Sequence, residues 1–356
     1  MSKLKLIVTF TILLIVMAGC GGYANPNADE SENETAANTM VDPAVASAET
    51  EYDEDVLVLR MGHQTPEETN YHKTSLRFKD LVEEKTNGKV RIDIFPFRQL
   101  GADRELIEAM QFGTLDLGMI SGPPVSGFKP EAAVLDLPFL FEDWDHVNRF
   151  LESDLEEEYR ELTEDVNLLN LGTMARGFRH VTSSTGPVTE PEDFKGLTLR
   201  VQESPVYIDA YNDLGSSPQS MGFGDAFTAL EQGAIDGQEN TMDINFDEKI
   251  FEVNEHVSKT GVNFVFAFLM ASQDRFESWP EDVQQAIVDS AEQAVIEINK
   301  ENEVNEAEYE KLLEAEGMEI HEVDRTLFRD MVSAVYDEWE DRHGGEMLQE
   351  ILEMTE

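Results

Sequence analysis

A chain of 356 residues is longer than one average domain, which predicts two lobes plus extensions. Its 74 acidic and 26 basic residues give a formal net charge of -48, and this charge excludes nucleic acid as a partner. The single cysteine, Cys20, excludes an intramolecular disulfide and a cysteine-based zinc cluster, and the seven histidines lack the spacing of metal ligands. The sequence therefore predicts neither a metal nor a cofactor.

The amino terminus has the pattern of a secretory signal. Two lysines precede an apolar run at 6–17, which is too short to be a comfortable membrane span and ends just before Cys20. We interpret residues 1–19 as a signal peptide. Residues 17–20 resemble a bacterial lipobox, in which the thiol of Cys20 receives a diacylglycerol, and the alternative is a chance cysteine in a signal sequence.

Residues 20–55 are rich in Asn, Ala, Ser, Thr and acidic residues and contain no Lys or Arg. Such a segment buries too little apolar surface to offset its chain entropy, which predicts a lipidated, disordered, acidic tether. The globule is predicted to begin near Val56. The location that follows is extracytoplasmic, either lipid-anchored to the outer face of the cell membrane or periplasmic.

The first half of the globule has the pattern of alternating strands and helices. An apolar run at 56–61 predicts a buried strand, and Pro66 then opens a helix. Further strands are predicted around 90–94 and 115–119, separated by a short helix that Gly113 stops. This order predicts a mainly parallel sheet covered on both faces, and hence an α/β fold.

The same order returns in the second half. A strand at 197–201 precedes a helix that Ser204 caps and Pro205 begins, and a short strand near 218–221 precedes a helix over 226–232. A second α/β lobe is the prediction.

Residues 109–116 and 229–236 share one pattern: Ala, an apolar residue, two further residues, Gly, one residue, an apolar residue and Asp. The pattern predicts similar helix-to-strand junctions in the two halves. The alternative is that glycine helix stops recur in every α/β protein.

The last third predicts a buried strand at 262–271 and a long helix that begins at Pro280 and continues past Glu310. A helix of this length spans about 45 Å, which is enough to brace both lobes. Apolar residues at helical spacing over 327–339 predict a carboxy-terminal helix.

Arg200 is the strongest candidate for ligand binding. It lies at the end of a strand, just before a helix amino terminus, and a guanidinium offers two donors to a carboxylate. Arg176 and Arg179 flank the entry to the second lobe, and Asn240 follows a strand where an amide can donate to a carboxylate. The alternative for each arginine is a surface ion pair.

Several blocks of the chain resemble the solute receptors of TRAP (tripartite ATP-independent periplasmic) transporters over roughly residues 56–340. These blocks lie at 86–89, 95–101, 194–201 and 227–240. The resemblance implies a two-lobe, type II periplasmic-binding-protein fold with a long helix that spans the lobes. Lobe I is expected over 56–176 and 266–305, and lobe II over 177–265 and 306–356.

The resemblance also implies roles for particular residues. Arg200 matches the family's carboxylate-binding arginine, Arg179 matches a second cleft arginine, and Asn240 matches the asparagine that closes on the same carboxylate. The remaining ligand-contacting positions are implied to be His63 and Ser121 in the first lobe, with Phe223 lining the pocket and Glu203 reading a hydroxyl or orienting a guanidinium. The alternative for Glu203 is an acid at a helix start.

Two positions depart from the family pattern: Gln202 and Thr241 stand where many relatives have proline. The Gln-Glu-Ser sequence at 202–204 is similar to that of relatives that take sugar acids such as uronates. The expected ligand is therefore a C4-dicarboxylate or a sugar acid.

The hypothesis is a non-enzymatic extracytoplasmic receptor, a monomer that closes around a small carboxylate and delivers it to membrane permease subunits. A secreted lipid-anchored hydrolase is one alternative, although the chain lacks the motifs of a serine hydrolase or a zinc protease. A structural lipoprotein is the other.

Overall fold

The computed structural model describes residues 56–355, so the predicted signal peptide, Cys20 and the tether lie outside the described residues. One mixed sheet organises this part of the chain. Its strands are β1 (Leu57–His63), β2 (Val90–Phe95), β3 (Leu117–Ser121), β4 (Leu168–Ser183), β5 (Thr198–Val201), β6 (Ser217–Ser220), β7 (Gly237–Asn240), β8 (His256–Ser272) and β9 (Glu319–His321).

Helices cover both faces of this sheet. They are α1 (Asn70–Lys85), α2 (Asp103–Gln111), α3 (Gly122–Val125), α4 (Trp144–Leu151), α5 (Asp154–Glu161), α6 (Pro205–Asp213), α7 (Phe223–Glu231), α8 (Met242–Asp247), α9 (Gln273–Glu277), α10 (Glu281–Ala315), α11 (Thr326–Arg329), α12 (Ser333–His343) and α13 (Glu346–Glu353). The predicted alternation of strands and helices is confirmed in both halves.

Two predicted helices differ from the structure. The first begins at Asn70 rather than Pro66, because the Thr69 hydroxyl donates to the Pro66 carbonyl at 2.8 Å and holds residues 66–69 in a turn. The single carboxy-terminal helix is instead α11, a short 3-10 segment and α12. Ser204 does precede the first residue of α6, but its hydroxyl donates to Asp136 at 2.8 Å instead of capping the helix.

Two parallel groups of strands run in opposite directions, and the long antiparallel pair β4 and β8 joins them. The strand order is β2-β1-β3-β8-β4-β7-β5-β6, with β9 beside β8. β1, β2 and β3 share one direction, and β5, β6 and β7 share the other. The two groups belong to one sheet, since β8 pairs with β3 of the first group and β4 pairs with β7 of the second.

The register places the carboxyl ends of the two groups opposite each other. β3 ends level with Met174 of β4, while β7 ends with Asn240 beside His180 of β4. Residues 175–179 of β4 therefore form the floor between the two carboxyl edges. The two carboxyl edges face each other across this floor and form a cleft. Open α/β sheets bind ligands in such a crevice, beyond the carboxyl ends of their strands.

The repeated junctions predicted at 109–116 and 229–236 are confirmed in detail. Gly113 and Gly233 end their helices with φ of 66° and 64°, a left-handed conformation that favours glycine. Asp116 then accepts a hydrogen bond from the Arg60 amide, and Asp236 accepts one from the Thr198 amide, each at 2.8 Å. In both halves, the aspartate fastens the new strand to its parallel neighbour.

The long helix α10 contacts both halves of the sheet, as predicted. With 35 residues it spans about 52 Å. It packs on α1 and β4 along its first part and on α8 and β9 near its end. Asn299 and Asn302 of α10 bond to the backbone of Ala175, at 2.8 and 2.7 Å, where β4 is bulged.

Apolar clusters fill both faces of the sheet. The larger one lies under α2, α4, α5, α6 and the carboxy-terminal helices, and the second lies between β1 to β3, α1 and α10. Within residues 56–355, no helix has the length and apolar character needed to cross a bilayer.

Gly237 opens β7 directly against β4. A Cβ there would lie 1.9 Å from the Thr182 carbonyl oxygen, so Gly237→Ala must push the strands apart. We expect it to lower the free energy of unfolding by about 3 kcal/mol or more in a urea titration.

The control is Gly127→Ala, at an exposed turn where the nearest atom to a new Cβ is 3.4 Å away. It should change stability by no more than about 0.5 kcal/mol. Equal stability of the two variants would contradict the tight register at β7.

Candidate functional site

The predicted binding residues gather around the cleft. His63 and Ser121 are the last residues of β1 and β3 on one side. On the other side, Arg200 is the last but one residue of β5 and Asn240 is the last residue of β7. All four side chains are buried. Arg179 lies on the floor in β4, so the structure brings together the residues that the sequence analysis chose.

Arg200 is a buried cation with an unmet donor. Its Nε and Nη2 both donate to the Met221 carbonyl, at 3.1 and 3.0 Å, and its guanidinium lies 5.4 Å from the centre of the Phe223 ring. Nη1 has no hydrogen-bond partner within residues 56–355. Burial lowers the pKa of Arg200 to about 10, which leaves it charged at neutral pH.

Arg179, in contrast, is fully engaged. Its Nε donates to the Glu239 carboxylate and its Nη2 to the Glu239 carbonyl at 2.6 Å. The Gln202 carboxamide is oriented with its nitrogen donating to Ser121 Oγ at 3.0 Å. In this orientation its oxygen accepts from Arg179 Nη1 at 2.9 Å. Ser121, Gln202, Arg179 and Glu239 thus form one chain of hydrogen bonds that crosses the cleft.

The other predicted residues have mixed environments. His63 bonds to His72 at 3.0 Å, and burial together with His72 lowers the pKa of His63 to about 3, so it is neutral. The Asn240 carboxamide oxygen accepts from the Thr241 amide at 3.0 Å. Glu203 is half-buried and adds an attractive charge near Arg200 without forming an ion pair among the described residues.

Arg176 borders a cavity of about 10 Å³ that has room for about one water molecule. Its Nη2 donates to Asp243 at 2.6 Å, and its guanidinium stacks over the Tyr71 ring at 4.5 Å. Asp243 compensates its charge, as Glu239 compensates that of Arg179.

Asp103 is a site residue that the sequence analysis missed. It is 2% exposed at the start of α2, accepts from the Gln64 side chain, and has an unpartnered Oδ1 in the described chain. Burial raises its pKa to about 8, with Glu203 adding repulsion and Arg200 opposing it. The acid is therefore mostly protonated at pH 7 and offers an O–H donor.

No local signal distinguishes Asp103 from the many acids that begin helices. Glu239 and Tyr71 were missed for the same reason, because their roles arise from contacts with Arg179 and Arg176 across the fold. The departure at Gln202 was noticed in the sequence, but its bridging role was not.

Comparison with known proteins gives one consistent family. The model of bacterial extracellular solute-binding protein family 7 matches residues 61–342. A 2,3-diketo-L-gulonate-binding periplasmic protein of Escherichia coli is 31% identical over 76% of this chain and 83% of its own length. A C4-dicarboxylate-binding protein of Bacillus subtilis is 27% identical over 85% of this chain and 87% of its own.

A solved structure matches equally well. The TRAP periplasmic solute-binding protein of a Polaromonas species, bound to D-erythronate, is 31% identical and superposes with a TM-score of 0.82. The match covers 84% of this chain and 99% of that one. The two-lobe fold with its lobe-spanning helix is confirmed by this likeness.

The raised pKa of Asp103 predicts a pH-dependent stability. Between about pH 4 and 8 the unfolded chain has lost this proton while the folded chain keeps it, so rising pH favours unfolding. From pH 5 to pH 8, the free energy of unfolding of the parent should fall by about 1–3 kcal/mol more than that of Asp103→Asn.

Urea titrations at several pH values measure this difference. Asp337→Asn, at an exposed position of α12, is the control and should follow the parent. Parallel pH profiles for the parent and Asp103→Asn would show that Asp103 is ionised in the folded protein.

Proposed function

Because the chain belongs to family 7 of the bacterial extracellular solute-binding proteins, we propose that it is an extracytoplasmic receptor that binds a small organic acid and delivers it to a TRAP membrane permease. The observation that carries this proposal is the unpartnered Nη1 of Arg200, buried where two carboxyl edges of the sheet meet. The receptor performs no chemistry on its ligand.

A carboxylate satisfies this site in two ways. It accepts the unmet hydrogen bond of Arg200, whose absence costs about 1–3 kcal/mol, and it pairs a cation that has no partner acid among residues 56–355. Arg179 and Arg176 are compensated by Glu239 and Asp243, so Arg200 is the cationic group that the cleft leaves for a ligand.

The balance of charge favours a polyhydroxy monocarboxylate over a dicarboxylate. One guanidinium is left for one carboxylate, and the charge of Glu203 near Arg200 repels a second ligand anion. Ligand hydroxyls suit such surroundings, because a carboxylate accepts a hydrogen bond from a hydroxyl and a carboxamide both accepts and donates. Relatives that bind 2,3-diketo-L-gulonate and D-erythronate are in keeping with this ligand class.

The register of β4 suggests how the receptor closes. Residues 175–179 connect the two carboxyl edges, and the bulges of β4 between 170 and 181 make this stretch the natural pivot. We place lobe I at 56–176 and 266–305 and lobe II at 177–265 and 306–356. Since one chain supplies both edges, a monomer completes the site.

Replacing Arg200 with alanine should abolish ligand binding. D-erythronate and D-glucuronate should raise the melting temperature of the parent more than succinate does, and Arg200→Ala should weaken the best ligand by about 100-fold or more. Arg200→Lys should recover part of the affinity, because it restores the charge but not the planar fork.

Thermal shift and isothermal titration calorimetry measure these effects, with Arg342→Ala at an exposed ion pair of α12 as the control. Mass spectrometry of the released acid separates a receptor from a hydrolase, since a receptor returns it unchanged. Undiminished affinity in Arg200→Ala, or turnover of the acid, would refute the proposal.

We also propose that Cys20 carries a lipid that anchors the receptor to the membrane. The support is the sequence alone, in which an apolar run of signal-peptide length ends at Ala18-Gly19-Cys20. Lipid at Cys20 should place the expressed protein in the detergent phase of a phase-partition assay, and Cys20→Ala should move it to the aqueous phase. Identical partition of both proteins would exclude the anchor.

A further inference from the structure

Three potential metal ligands meet at the edge of the sheet, away from the cleft. His256 of β8 pairs in parallel register with Glu319 of β9, and His321 follows two residues later. Alternation along the strands directs these three side chains to one face, while Val257 and Ile320 pack into the core on the other. No sequence motif marks this cluster, because 65 residues separate the two histidines.

The distances among the donor atoms fit one metal ion. His256 Nδ1 lies 3.2 Å from His321 Nε2, and Glu319 Oε2 lies 3.5 and 3.8 Å from these nitrogens. Two ligands of a tetrahedral zinc ion with bonds of about 2.0–2.1 Å are about 3.4 Å apart. The three atoms therefore already occupy a triangle of the required size.

The surroundings allow an ion to enter and to be held. The side chains of His256 and His321 are 16% and 24% exposed, while Glu319 is 69% exposed and can adjust. Both histidines lie on paired strands, which fix their backbones. The net charge of -48 raises the concentration of cations near the surface.

We propose that His256, Glu319 and His321 bind one divalent transition-metal ion, with water completing the coordination. Two imidazoles and one carboxylate suit Zn²⁺, Ni²⁺ or Cu²⁺, whereas Mg²⁺ and Ca²⁺ prefer oxygen ligands alone. The three protein ligands leave a position open, as in metal sites that exchange their fourth ligand.

The ion has a defined mechanical effect. It cross-links β8 to β9, and β9 follows the end of α10 through the turn at Gly317. From this point α10 reaches α1, with which it packs over β1 to β3. Metal binding therefore fastens the carboxyl end of the helix that contacts both halves of the protein.

Zinc titration of the full-length chain, purified without a histidine tag, tests the site. We expect one Zn²⁺ per chain by calorimetry and a rise in melting temperature of about 3–8 °C with excess Zn²⁺, but no comparable rise with equal Mg²⁺. His256→Gln, His321→Gln and Glu319→Gln should each weaken Zn²⁺ by about tenfold or more.

His343→Gln is the matched control, since His343 is a half-buried histidine on α12 outside the cluster. It should bind Zn²⁺ like the parent. Glu319→Gln changes an exposed side chain, so it tests the site even if a histidine variant unfolds. The proposal is overturned if the parent does not bind one Zn²⁺. It is also overturned if Glu319→Gln and a folded histidine variant both bind Zn²⁺ with the affinity of the parent.

Discussion

Burial of positive charge is the constraint on which this cleft depends. Arg176, Arg179 and Arg200 all lie in it with almost no exposure, and a buried ion is costly unless a counter-charge is present. Asp243 and Glu239 meet that requirement for the first two. Arg200 donates from Nε and Nη2 to the Met221 carbonyl, and its Nη1 has no partner among the described residues. Within residues 56–355, Arg200 therefore forms no ion pair with an acid, and this is the arrangement expected of a site whose counter-ion arrives from solution.

The sheet explains how Arg179 comes close to Arg200. β4 and β8 run antiparallel through both halves and separate two parallel groups by the few residues at 175–179. Bulges in β4 break the regular alternation of side chains along the segment that carries Arg176 and Arg179. The amides of Asn299 and Asn302 satisfy the backbone groups that the bulge at Ala175 frees, which couples the long helix to the position of the site. The position of α10 and the floor of the cleft are therefore linked through direct contacts.

Local pattern was enough to predict most strands and helices and the repeated glycine-aspartate junctions. Those features depend on spacing of apolar residues and on backbone conformation, which are properties of short segments. β4 was missed, because Leu168–Ser183 mixes glycine, arginine and asparagine in a strand that is buried on both faces and irregular in register. The raised pKa of Asp103, the compensation of Arg179 by Glu239 and the His256 cluster were also missed. Each of these arises from residues that are distant in sequence, and only the folded chain brings them together.

A crystal structure of the chain with D-erythronate will show whether Arg200 binds the ligand carboxylate. The account predicts a ligand carboxylate oxygen within about 3 Å of Arg200 Nη1, between the carboxyl ends of β3 and β7, with the Arg179 to Glu239 pair intact. An acid bound elsewhere, with Arg200 still bonded only to the Met221 carbonyl, would contradict it.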